Sequence, residues 1–165
     1  MPGKFPKPPV IALPRHASQL YTGSVYTYDG KRVDLDEIEE QIIQENAPIL
    51  AKFKVWLEAQ RYSKKTIRKH CNNAELFASF LYFREPYLRL VQAKDASLYL
   101  FYVHFVKDHI AGAKEEILAI PASLKKLFTW MGEAGYLSQS DTTHLAEEVW
   151  EGRKEYLEEI RETWN

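Results

Sequence analysis

The sequence predicts an all-α domain preceded by an extended arm, and three observations carry that expectation. From Asp34 onward glycine is sparse and apolar residues recur every three or four positions. Residues suited to capping helices, Asp34 or Asp36, Ser63, and Ser140 or Asp141, stand just before those periodic stretches. β-type patterning is clearest in Val25-Tyr26-Thr27-Tyr28-Asp29-Gly30-Lys31-Arg32-Val33, where β-prone residues flank an Asp-Gly pair, the short-range signature of a tight hairpin. A chain of 165 residues, 45% apolar and 27% charged, is long enough to bury one core without staples. The expected organisation is therefore an arm and hairpin over residues 1–33 and one helical domain over residues 34–165, with no internal repeat.

Four prolines fall in the first nine residues and Pro14 follows, which excludes regular ladders and helices and favours an extended arm over residues 1 to about 20. Asp34 or Asp36 can cap a first helix whose opening turn is rich in Glu37, Glu39 and Glu40, as the macrodipole favours. Pro48 is expected to break or offset that helix. A second segment, residues 49–60, then places Ile49, Phe53, Trp56 and Leu57 on one face. Ser63 caps the clearest amphipathic helix, in which Ile67, Cys71, Ala74, Ala78 and Leu81 step by four and three. Residues 98–106 are apolar nearly all round, which fits a buried helix or a buried strand, and helical neighbours favour a central helix. Ile117, Ile120, Leu124, Leu127 and Met131 form another stripe, with a kink expected at Pro121 and a stop near Gly132 or Gly135. Ser140 or Asp141 caps a last helix bearing Leu145, Val149, Tyr156, Ile160 and Trp164 on one side.

The lone cysteine, Cys71, cannot form an internal disulfide and sits most comfortably in a reducing compartment, so a cytoplasmic location is expected. The longest apolar run, residues 98–106, is far short of the roughly 20 residues that span a bilayer. Neither export nor membrane insertion is expected.

The net charge of -1 conceals an uneven distribution. Residues 1–33 hold five Lys+Arg and one acid, residues 63–92 six and two, and residues 139–165 three and eight. The sharpest feature is Ser63-Lys64-Lys65-Thr66-Ile67-Arg68-Lys69-His70 at a helix start. At about 100° per residue, Lys65, Arg68, Lys69 and Asn72 share one face, roughly opposite Ile67, Cys71, Ala74 and Ala78. Cations in a first helical turn oppose the macrodipole and cost a few tenths of a kcal/mol each. Helix stability therefore does not account for them, whereas an anionic partner does, since exposed N–H groups at a helix N-terminus beside Lys and Arg suit phosphate. An ordinary solvated surface is the bland alternative. Lys125 and Lys126 lie on the polar side of their own helix, near Ala122 and Thr129.

From about residue 46 to residue 137 the order of elements resembles the N-terminal, SAM-like core-binding domain of the tyrosine recombinase (phage integrase) family. Phe53-Lys54-Val55-Trp56-Leu57-Glu58-Ala59-Gln60-Arg61-Tyr62-Ser63-Lys64-Lys65-Thr66-Ile67-Arg68 resembles that family's helix, "g-l-s-x-x-T" turn and second helix. Leu76-Phe77-Ala78-Ser79-Phe80-Leu81 resembles the "L-x-x-F-x-x-F-L" end of the second helix. Ala122-Ser123-Leu124-Lys125-Lys126-Leu127-Phe128-Thr129-Trp130-Met131-Gly132-Glu133-Ala134-Gly135-Tyr136-Leu137 resembles the closing "l-x-x-l-r-x-f-f-x-f-l-x-x-x-g-x-i". The resemblance covers roughly 90 of the 165 residues. It implies a four-helix core, here with extra N- and C-terminal helices, that clamps one side of double-stranded DNA with its second and fourth helices. Those are the helices bearing Lys64, Lys65, Thr66, Arg68, Lys69 and Asn72, and Lys125 and Lys126.

The departures bear on activity. The recombinases follow this domain with a catalytic one carrying an Arg, a His-x-x-Arg and a nucleophilic Tyr; here 28 residues follow Leu137 and no His-x-x-Arg occurs. Strand cleavage is not expected. An acidic helix, residues 139–165, stands in its place; it would be repelled by phosphates and offers a surface for a second copy or another protein. His70 replaces the family's usual aromatic. His104 and Asp108 are i, i+4 but lack a third ligand, so a core histidine is favoured over a metal site. Cys71, on an apolar stripe, reads as inert packing. Glu147/Glu151 and Glu155/Glu159 read as a solvated face, and there is no P-loop, dinucleotide fingerprint, nucleophile elbow or Cys-x-x-Cys. No enzymatic activity, metal or cofactor is expected.

The leading expectation is thus a non-catalytic module holding double-stranded DNA through phosphates, with Thr66, Asn72 and Asn73 reaching base edges. The alternative is a helical scaffold that binds protein, motivated by the acidic last helix and by Trp and Tyr side chains suited to an interface. In a third arrangement the acidic helix folds over the basic face and masks it.

Overall fold

The computed structural model describes residues 24–26, 32–83, 87–106 and 114–163, and these are mostly helical. Two short strands, β1 (Ser24–Tyr26) and β2 (Arg32–Asp34), pair antiparallel with Val25 opposite Val33. The expected Asp29-Gly30 turn between them, and the N-terminal arm, lie outside the described residues. Asp34 ends β2 and caps α1 (Leu35–Ala59), its carboxylate accepting from the Asp36 amide at 2.9 Å.

Pro48 does not break this helix, contrary to the sequence expectation. The buried positions Ile38, Ile42, Asn46, Ile49, Phe53 and Leu57 keep one register across it. Pro48 and Gln44, whose carbonyl loses its helical donor, are both exposed, so water can satisfy the orphaned group. The N-terminal half of α1 also has anchors of its own. Arg89 pairs with Glu45, the Asn46 side-chain oxygen accepts from the Leu90 amide at 3.1 Å, and Ile38 and Ile42 pack with Tyr82 and Tyr87.

α2 (Lys64–Leu81) buries Ile67, His70, Ala74, Phe77, Ala78, Phe80 and Leu81. After a 3₁₀ segment, Leu90–Asp95, a short helix α3 (Leu98–Leu100) widens into a π-helical stretch, Phe101–Val106. The expected central helix is therefore present in altered form. Phe101, Tyr102, Phe105 and Val106 of this stretch all pack against the core. His104 lands on the outside, edge-on to Tyr99, and not in the core as its sequence setting suggested; its expected companion Asp108 lies outside the described residues.

α4 (Lys114–Glu133) runs through Pro121 without interruption. It ends at Gly135, whose φ of +86° suits glycine, with the Tyr136 amide donating to the Met131 carbonyl and the Gly135 amide to the Gly132 carbonyl. Gly132 lies inside the helix because a Cβ there would sit 2.3 Å from Thr142 Oγ1. α5 (Gln139–Thr163) is capped by Ser138 and not by the expected Ser140 or Asp141. Ser138 Oγ accepts from the Asp141 amide at 3.0 Å, and Asp141 instead meets Lys94 at 3.8 Å.

The last helix is part of the core and not an appendage. Leu145, Val149 and Tyr156 are buried with residues of α1 to α4, and Tyr156 stacks on Tyr102 at 5.1 Å. The expected apolar positions Ile160 and Trp164 lie beyond the side chains described. Among the described residues no helix is long and apolar enough to cross a membrane.

Candidate functional site

The basic residues singled out in the sequence sit at the start of α2 because the turn before it is built for an abrupt restart. Arg61 takes a left-handed conformation, φ 62°, after the end of α1, and Ser63 caps the new helix. Ser63 Oγ accepts from the Thr66 amide at 3.2 Å and donates to Thr66 Oγ1 at 2.9 Å. Thr66 is accordingly half-buried and engaged in the cap. A left-handed arginine costs about 1 kcal/mol relative to glycine. Arg61→Gly should therefore raise the melting temperature by roughly 2–4 °C, measured by thermal circular dichroism.

Lys64, Lys65, Arg68, Lys69 and Asn72 are all exposed on the side of α2 away from its buried stripe. Within the described residues none of the four cations makes an ion pair. Their directions differ. Lys64, Arg68 and Asn72 border a groove toward α1, shared with Lys54, Glu58 and Glu75, while Lys65 points outward between the flanks. Lys69 lies toward α4. Cys71 is half-buried on the α1 flank, and burial pushes its thiol above its ordinary pKa.

The two α4 lysines part company. Lys126 reaches back to the turn before α2, donating to the Tyr62 hydroxyl at 2.8 Å with its ammonium 4.9 Å from the Tyr62 ring centre. It thereby joins the α2 surface. Lys125 turns the other way, toward α5, and lies 5.3 Å from the Trp150 ring centre.

Beneath Lys69 and Lys126 lies a polar cluster that periodicity alone did not reveal. His70, 3% exposed, places Nδ1 2.7 Å from Ser123 Oγ, and the Asn73 amide donates to the same oxygen at 2.9 Å. The Tyr62 ring meets His70 edge-on at 6.0 Å. Asn73, expected to reach base edges, is instead committed to joining α2 to α4. The sequence carried one signal for this: His70 falls in register with Ile67, Ala74 and Phe77 on the buried stripe.

Burial, then the charges of Lys69 and Lys126, lower the His70 pKa from 6.5 to about 4. The unfolded chain, with the ordinary value, binds a proton that the folded chain refuses. Stability from this site is full above about pH 6.5 and is lost as the pH falls toward 4. Between pH 6.5 and 5, where most carboxylates remain ionised, wild type should lose about 1–2 kcal/mol more than His70→Gln in urea unfolding.

The acidic helix does not cover the basic face. α5 packs on α4, leaving Lys64, Lys65, Arg68 and Lys69 exposed, and Glu147 and Glu151 point to solvent. Among the described residues no group of three or more His, Cys, Asp or Glu could hold a metal ion. Set against known proteins, the chain matches no family model, no curated protein and no solved structure.

Proposed function

We propose that this protein is a non-catalytic module that binds double-stranded DNA through its phosphates, in the manner of the core-binding domain of the tyrosine recombinases. The observation that carries the reading is the surface at the start of α2: Lys64, Lys65, Arg68 and Lys69 stand exposed without carboxylate partners among the described residues, and Lys126 extends the patch from α4 through Tyr62. Lys64 and Lys65, in the first turn of α2, oppose their own helix dipole, and Arg68 and Lys69 add positive charge one turn on, so an external anion is a favourable way to neutralise the group.

Three features support the recombinase-like form of this reading. Arg61 adopts the left-handed conformation at the position where the resembling "g-l-s-x-x-T" turn carries glycine, and Ser63 and Thr66 form the cap that turn requires. α2 and α4, the counterparts of the two DNA-facing helices, pack side by side. Among the described residues no acid of α5 pairs with the basic patch. Asn72, exposed beside Arg68, is the remaining candidate for reading a base edge, because Thr66 and Asn73 are engaged within the protein. No residue of the patch is placed as a catalyst, and the proposed role is binding alone.

Contacts to about four to six phosphates should give a slope of about -4 to -5 in log K against log salt. Fluorescence anisotropy of a labelled blunt duplex between about 50 and 200 mM salt reads that slope. A slope near zero, or no binding at the lowest salt, would remove the reading.

A further inference from the structure

On the far side of Lys126 from α2, the surface dips into a groove of about 360 Å³ between α4 and α5, with Trp56 of α1 at its edge. Trp150 forms one wall and is 59% exposed, an unusual position for a large aromatic with no covering partner among the described residues. Lys125 and Arg153 lie 5.3 and 5.5 Å from its ring centre, and Lys126 also lines the groove. Among the described residues no carboxylate lines it, although α5 is acidic overall; Glu147 and Glu151 lie outside the lining. The chemistry collected here is an exposed indole with Lys125 and Arg153 over its ring and Lys126 in the same groove.

We infer that this groove binds a short single-stranded DNA segment, stacking a base on Trp150 and holding the adjoining phosphates with Lys125, Lys126 and Arg153. Charge complementarity selects an anion, and the exposed indole selects one that carries a flat face. Continuity selects nucleic acid over an acidic peptide. Lys126 belongs both to this groove and to the α2 patch, so one cationic track runs from Lys69 past Tyr62 and Lys126 to Trp150. Aromatic rings spaced along a positive track are the general solution to holding an unpaired strand, since every base presents a π face whatever its sequence. The cations now over Trp150 do not block the site. Both are flexible, and each can swing from the ring to a phosphate as a base takes its place.

The inference rests on reading the protein as a nucleic-acid binder, yet the two can fail separately. Labelled dT12, a blunt hairpin duplex, and the same hairpin with a dT6 extension are each titrated by anisotropy against wild type, Trp150→Ala, Trp150→Phe and Arg153→Glu. Trp150 is exposed, so its truncation leaves the core intact, which circular dichroism checks. The expected result is that dT12 quenches tryptophan fluorescence and that the extension tightens hairpin binding about tenfold. Trp150→Ala and Arg153→Glu should each erase that gain, Trp150→Phe should keep part of it, and Trp150→Ala should leave blunt-hairpin affinity within about twofold. An extension that adds nothing, or a gain that survives both Trp150→Ala and Arg153→Glu, overturns the inference even if the blunt hairpin binds. Binding of dT12 that depends on Trp150, with no binding of the blunt hairpin, upholds it and overturns the duplex reading. Capture of an acidic, tyrosine-containing peptide in preference to dT12 overturns it as well.

Discussion

Changing Lys64, Lys65, Arg68 and Lys69 together to Glu should weaken binding of a blunt duplex by about a thousandfold at 50 mM salt, to beyond measurement by anisotropy. The expectation follows from the electrostatic origin of non-specific affinity. Each cation that neutralises a phosphate releases condensed counterions, and that release supplies essentially all of such binding, whose dissociation constants lie near 10⁻⁴–10⁻⁶ M at physiological salt. Reversing four charges removes those contacts and adds repulsion. The variant should nonetheless fold. All four side chains are exposed, and acids at positions 64 and 65, in the first turn of α2, favour the helix dipole by a few tenths of a kcal/mol each where the native lysines oppose it. A variant whose thermal stability is equal or higher while its DNA affinity is lost would separate function from stability at this surface.

Phe77→Ala should lower the unfolding free energy by about 3–5 kcal/mol, a large part of the stability of a domain this size. Phe77 is fully buried on α2 and meets Phe101 and Phe128 edge-to-face, each at 5.3 Å, with Phe80 at 6.2 Å. It therefore joins α2 to the π-helical stretch and to α4 at one point. Truncation removes its buried area and three ring contacts, and the rigid rings around the void cannot collapse to fill it. Urea unfolding followed by circular dichroism measures the loss. A change under about 1 kcal/mol would mean that this aromatic junction does not hold the helices together.

The elements that could be read from the sequence are those set by local chemistry. Asp34 and Ser63 cap helices because their side chains reach amides two or three residues on, a relation contained in the sequence itself. Gly135 ends α4 for an equally local reason. Pro48 misled because its cost depends on which way it faces. An exposed proline in an unbroken apolar register is tolerated when tertiary contacts such as Arg89 with Glu45 hold the flanking half of the helix. Residues 98–106 are apolar nearly all round and so offered no periodicity to read; the π-helical turn there has no signal in the sequence.

The candidate site divides along the same line. The exposed face of α2 followed from its spacing, whereas the partner of each residue did not. Ser123 and Asn73, polar and unremarkable in sequence, meet across two helices at His70, 50 or more positions apart. Lys125 and Lys126, adjacent in the chain, differ in reach because successive positions on α4 diverge by about 100°: both line the groove beside Trp150, and Lys126 also reaches Tyr62 and the α2 patch. Trp150 and Arg153 lie three positions apart on α5, a spacing that places both on one side and could have drawn notice to the groove.

Duplex DNA is proposed to meet the start of α2 and the adjoining turn of α4. A titration of ¹⁵N-labelled protein with a blunt duplex, followed residue by residue in amide NMR spectra at low salt, tests it most directly. Shifts should concentrate at residues 61–72 and around Lys126 and fade as salt is raised. Spectra unchanged at excess duplex, or shifts confined to the outward residues of α5 such as Glu147 and Glu151, would contradict it.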